Sequence, residues 1–130
     1  MKIYPAFFLP EENGGFTVSF PDIPGAVTWG ATFEEAYNYA QEVLGFALEN
    51  EETGRFDDVT ASELAAVRPE EGEFVVAVPF DEIEYLKRYS TKSVRKNLTI
   101  PRWLNALAEK ENINFSRTLR EALKAKLHVV

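Results

Sequence analysis

The sequence predicts an α+β protein in two parts: a β-β-β-α-β domain over residues 1–80 and a strand–helix–helix unit over residues 92–130, joined by a linker at 81–91. Three observations predict it. Short apolar runs separated by Gly- and Pro-rich turns fill the first part, the signature of strands. One longer run with apolar residues at helical spacing interrupts them. The charge also divides along the chain. Of 130 residues with a net charge of −7, residues 1–84 hold 3 basic and 18 acidic groups (net −15), and residues 85–130 hold 11 basic and 3 acidic groups (net +8).

The first run, residues 2–9, is rich in Ile3, Tyr4, Phe7 and Phe8 and ends at Pro10-Glu11-Glu12-Asn13-Gly14-Gly15. Asn-Gly supplies the positive-φ positions of a tight hairpin. Residues 16–20 alternate apolar and polar, so a second strand with one buried face pairs with the first. Pro21, Pro24 and Gly25 then fix a rigid loop. Residues 26–30 make a short third strand. Thr32 and Glu35 form a capping box. Phe33, Ala36, Tyr37, Ala40, Val43, Leu44, Ala47 and Leu48 follow it as the apolar stripe of a helix over about 33–50. Gly45 inside that helix costs about 1 kcal/mol relative to Ala, which predicts a close approach between helix and sheet there. Residues 50–72 read as a polar loop with a short helical turn at 62–67. The nearly continuous apolar run 73–78, closed by Pro79, reads as a central or well-covered strand.

Residues 81–89 fit either a short helix or an extended connector, and Ser90-Thr91-Lys92-Ser93 a hinge. Residues 95–100 read as a strand, with Arg95, Asn97 and Thr99 on one face and Leu98 and Ile100 on the other. Pro101 suits the first turn of a helix that carries Trp103, Leu104, Leu107 and Ala108 to about Glu111. Asn112 suits the left-handed position after it, and Asn114 the N-cap of a helix over 115–127 with Leu119, Leu123 and Leu127 on one face. A unit of about 40 residues with one unpaired strand cannot fold alone. Two copies resolve this by pairing their strands across a two-fold axis.

Composition excludes several chemistries. The chain has no cysteine, which removes disulfides, thiolate zinc sites and thiol catalysis. Its single histidine, His128, lies two positions before the last residue, which argues against a His-based triad or a multi-His metal site. No apolar run approaches the ~20 residues of a membrane span, and residues 1–5 lack the features of a signal peptide. A cytoplasmic protein without a cofactor or membrane partner is expected. Asp22, Asp57 and Asp58 are the candidates for a metal-binding carboxylate set. The strands themselves carry almost no carboxylates, so these three read as turn and loop residues, and no metal or catalytic residue is expected.

The Tyr4-Pro5-Ala6 start, the Gly14-Gly15 hairpin, Ser19-Phe20-Pro21-Asp22-Ile23-Pro24-Gly25, Thr28-x-Gly30 and Thr32-Phe33-Glu34-Glu35-Ala36 together resemble the N-terminal domain of the HicB antitoxin family. The resemblance is close over roughly the first 50 residues and loose near 74–78. It implies a degraded RNase H-like fold that binds a small basic HicA-like toxin, an mRNA-cleaving protein, and blocks it. The tail resembles the ribbon-helix-helix domain that many members carry, which implies a homodimer through this domain, with a tetramer as a larger alternative, and binding to operator double-stranded DNA. In that pattern Arg95, Asn97 and Thr99 read bases. Arg95 suits guanine O6/N7 and Asn97 adenine N6/N7. Lys96 stands where the family usually has an apolar residue: either the ribbon starts later or Lys96 reaches the phosphates. The helix N-terminus at Asn114 and Ser116 offers N–H groups to a phosphate.

For the toxin, the expected contact is the preorganised loop with Phe20, Asp22, Ile23 and Pro24, together with Trp29. The acidic first part suits a basic partner. The rival readings are a ligand-responsive repressor without a toxin and a metal-dependent nuclease.

Overall fold

The computed structural model describes residues 1–50, 52–90 and 93–130. They fall into two compact units, Met1–Lys92 and Ser93–Val130.

The first unit is a four-stranded antiparallel sheet with two helices. Its strands are β1 (Lys2–Pro10), β2 (Phe16–Ser19), β3 (Val27–Gly30) and β4 (Phe74–Phe80), in the order β3-β2-β1-β4. Its helices are α1 (Phe33–Leu48) and α2 (Glu82–Tyr89). The predicted hairpin forms through a loop over residues 11–15, in which Gly14 but not Asn13 takes positive φ. Gly14 takes φ +90°, its N–H donates to the Glu11 carbonyl (3.0 Å), and the Glu11 N–H donates to the Gly15 carbonyl (2.8 Å). This turn sets the register of β1 on β2, with Phe8 opposite Val18. On the other side of β1, Tyr4 stands opposite Val78 and Ala6 opposite Val76.

One face of the sheet, with Tyr4, Ala6, Phe8, Val18, Val78 and Phe80, meets the buried stripe of α1 at Ala36, Ala40, Leu44 and Leu48. The stripe begins where the Thr32 Oγ1 accepts from the Glu35 N–H (3.1 Å), half of the predicted capping box. Ala47, expected in the stripe, is exposed. On the opposite sheet face Ile3, Val27 and Trp29 are about half exposed, while Pro5 is buried.

Two expectations are corrected. β4 is an edge strand, not a central one. Its apolar character arises from α1 on one face only. Pro79 is tolerated inside it because an edge strand has a free row of backbone groups where a missing N–H breaks no ladder bond. Of the two readings of residues 81–89, the short helix is the one that forms: residues 82–89 make α2, capped by the Asp81 carboxylate, which accepts from the Ile83 and Glu84 N–H groups (3.0 and 3.2 Å). Tyr85 anchors it, with its ring centroid 5.7 Å from that of Phe56 and 5.8 Å from that of Phe80. The expected hinge includes Thr91 and Lys92, which lie outside the described residues.

The second correction concerns Gly45. The close approach exists, but the partner is α2 and not the sheet: a Cβ at Gly45 would overlap the Tyr85 ring. Glycine therefore serves helix-helix contact here. Gly45→Val should destabilise the first unit by about 1–3 kcal/mol, the usual cost of overpacking. Urea unfolding would measure it, and unchanged stability would mean that α2 is free to move away.

The loop from α1 to β4 closes over the end of the sheet. Tyr4 is fully buried, and its hydroxyl donates to the Val59 carbonyl (2.7 Å). Burial pushes the Tyr4 hydroxyl above its ordinary pKa. Lys2 pairs with Asp58 at the surface. That hydrogen bond raises the Lys2 pKa and lowers that of Asp58. The helical turn expected at 62–67 is confined to a turn at 64–66.

The second unit consists of α3 (Arg102–Lys110) and α4 (Phe115–Leu127). Asn112 takes φ 57°, as its position predicts, and the Ile113 N–H donates to the Ala108 carbonyl (3.0 Å) to close α3. The Asn114 Oδ1 accepts from the Arg117 N–H (3.0 Å) to open α4. Residues 93–100 make no ladder with any described residue of the same chain. No helix among the described residues is long and apolar enough to cross a membrane.

Candidate functional site

The second unit is short of a core. Neither α3 nor α4 has a buried residue. Trp103 is 66% exposed, Leu107 54%, Leu123 50% and Leu127 69%. Leu98 and Ile100, which the alternation directs toward the helices, are also exposed. Apolar side chains at helical spacing normally face a core. Here they face solvent, and one chain cannot cover them. The residues expected to meet DNA, Arg95, Lys96, Asn97, Thr99, Asn114 and Ser116, are all exposed. The Asn114 side chain is already engaged as the cap of α4, which leaves Ser116 and the backbone N–H groups there as the groups open to the expected phosphate contact.

In the first unit the structure divides the expected toxin-contact set. Phe20 and Ile23 are core residues, 4% and 7% exposed. Two turns fold the loop inward: the Ile23 N–H donates to the Phe20 carbonyl (3.2 Å) and the Ala26 N–H to the Ile23 carbonyl (3.1 Å). Their side chains cannot form a docking surface in this fold. The Asp22 carboxylate is also engaged. It accepts from the Ser62 N–H (2.8 Å) and Ser62 Oγ (2.5 Å), which ties the loop to the segment before β4. Pro24 and Trp29 remain exposed. The Trp29 ring covers Gly15, where a Cβ would come within 2.7 Å of it, so only glycine fits beneath the indole.

Asp22, Asp57 and Asp58 do not converge. Asp22 holds Ser62, Asp58 holds Lys2, and the Asp57 N–H donates to the Leu48 carbonyl (2.8 Å). Among the described residues no cluster of three His, Cys, Asp or Glu side chains could hold a metal ion.

Sequence reasoning missed a groove of about 600 Å³ between α1, α2 and the edge strand β3. Tyr39, Phe46 and Tyr89 line it, 42%, 70% and 40% exposed. Tyr85 lies beside Tyr89 with ring centroids 5.0 Å apart. Glu42 and Glu49 also line it. Burial, and then the Glu49 and Glu42 carboxylates, push the Tyr85 hydroxyl above its ordinary pKa. The signal was available: Phe46 and Tyr39 are aromatics that lie off the apolar stripe of α1.

The fold and the two units match known proteins. A family described as HicB-like antitoxin of bacterial toxin–antitoxin system matches residues 4–126. The antitoxin HicB 1 of Photorhabdus laumondii is 52% identical over 46 residues, 35% of this chain. That match spans only 30% of the relative's own length. Two solved structures cover nearly all of this chain. The antitoxin HicB of Burkholderia pseudomallei has a TM-score of 0.54 at 28% identity, covering 96% of this chain and 98% of that one. A chain of a toxin–antitoxin complex from Streptococcus pneumoniae has a TM-score of 0.55 at 27% identity, with the same coverage. With a match running from residue 4 to residue 126, the chain belongs to the HicB-like antitoxin family of bacterial toxin–antitoxin systems.

Proposed function

We propose that the chain neutralises a HicA-like mRNA-cleaving toxin through its first unit and represses its own operon through its second. The observation that carries the DNA half is a unit with no buried residue in α3 or α4 and an excess of positive charge. A second copy would cover the apolar faces and pair the 95–100 segments into a two-stranded ribbon, which fits the major groove. Arg95, Asn97 and Thr99 would then lie on the base-reading side, with Lys96 and the α4 N-terminus at the backbone. The first unit has a core of its own and a net charge of −15 over residues 1–84. That charge repels DNA and attracts a basic protein, including one whose active site accommodates RNA phosphates. The similarity to a chain found in a toxin–antitoxin complex supports the same reading.

Ending the chain after residue 92 tests the division of labour. The shortened protein should lose binding to DNA from its own promoter in a gel-shift assay. It should retain the small basic protein of the adjacent reading frame in a pull-down. Loss of both activities would overturn the two-module reading.

A further inference from the structure

The groove between α1, α2 and β3 is built unlike the rest of the first unit's surface. Phe46 is more exposed than any other aromatic of the unit, although it sits in the last turn of a well-packed helix. Tyr39, about two turns before it, and Tyr89 of α2 expose their rings to the same space. An exposed aromatic cluster costs solvation, and on a packed unit it marks a contact surface. Its polar wall consists of two carboxylates, Glu42 and Glu49, and no basic residue lines it.

Aromatic faces beside carboxylates have one chemical preference: a cation that can also stack. An arginine guanidinium satisfies it, because it lies flat on a ring while its N–H fork reaches a carboxylate. Nucleic acid is excluded by charge. The first unit of a second copy carries the same −15 and is repelled. A basic protein is the occupant that charge complementarity selects.

We propose that this groove seats an arginine side chain of the basic protein partner, stacked on Tyr39, Phe46 and Tyr89 and paired with Glu42 and Glu49. The inference deepens the toxin-binding reading and rests on it. It also moves the expected contact from the 20–25 loop, whose Phe20 and Ile23 are buried, to the outer side of α1.

The test uses the ¹⁵N-labelled full-length chain titrated with a hexa-arginine peptide. Amide signals of Tyr39, Phe46 and Tyr89 should move first. Phe46→Ala should weaken the peptide roughly two- to fivefold. Glu42→Gln with Glu49→Gln should weaken it roughly two- to tenfold. Glu70→Gln with Glu71→Gln removes the same charge from an exposed loop and should have a smaller effect. Equal weakening by the two charge pairs would overturn the proposal in favour of diffuse attraction. Shifts confined to other residues would overturn it as well. Concentration-dependent shifts of the groove signals without peptide would place a second copy there and also overturn it. The antitoxin reading fails separately: a wild-type chain that takes the peptide in the groove but does not retain the basic protein of the adjacent reading frame overturns that reading alone.

Discussion

Leu123→Asp should turn the full-length chain into a monomer and abolish DNA binding while leaving the first unit folded. Leu123 is half exposed on the same face of α4 as Leu119 and Leu127. In a paired second unit it would be buried. Burying one leucine is worth about 1.5–3 kcal/mol. A dimer contains two, so about 3–6 kcal/mol is lost, which is on the order of 10²–10⁴-fold in the dimer constant. The buried carboxylates add to the loss. Sedimentation velocity would read the mass and a gel shift the DNA affinity. Near-ultraviolet circular dichroism would report the first unit, which holds most of the aromatics. A variant that remains dimeric would show that pairing does not run through α4.

Leu44→Ala should cost the first unit about 2–5 kcal/mol, as truncation of a fully buried leucine does. Leu44 is 0% exposed within the core formed by α1 and the sheet. For a unit of this size the melting temperature should fall by roughly 10 °C or more. Phe46, two residues on, provides the contrast. Its ring is 70% exposed, so Phe46→Ala should leave the melting temperature nearly unchanged while weakening the partner. Equal thermal losses from both substitutions would mean that Phe46 is part of the core in solution.

Elements whose determinants are local were legible in the sequence. The Asn13-Gly14 turn, the Thr32 cap, the Asn112 stop and the Asn114 start each depend on a few adjacent residues, and the backbone follows them. What was not legible depends on residues far apart in sequence. The loop with Pro21 and Pro24 reads as exposed because prolines and an aspartate dominate it. Asp22 is nevertheless bonded to Ser62, 40 positions away, and Ile23 turns into the core. The edge position of β4 is set by its pairing with the far strand β1, which its apolar sequence does not encode. The partner of Gly45 was assigned to the sheet because α2 itself was one of two alternatives. In the candidate DNA face the alternation of Arg95, Asn97 and Thr99 was visible. The groove was not, because it combines side chains from α1 and α2 with an edge strand.

The uncovered helices of the second unit have a consequence for gene dosage. A unit that folds only with a second copy has a folded fraction that depends on how much chain is present. On the proposed pairing, the amount of paired tail at low abundance would grow with the square of the free chain, so a doubling would yield roughly four times as much paired species. The proposed repression would then rise more steeply than in proportion to copy number. A chain that stored a complete core in each tail would have no such steepness. On that proposal, the missing core would let the protein count itself.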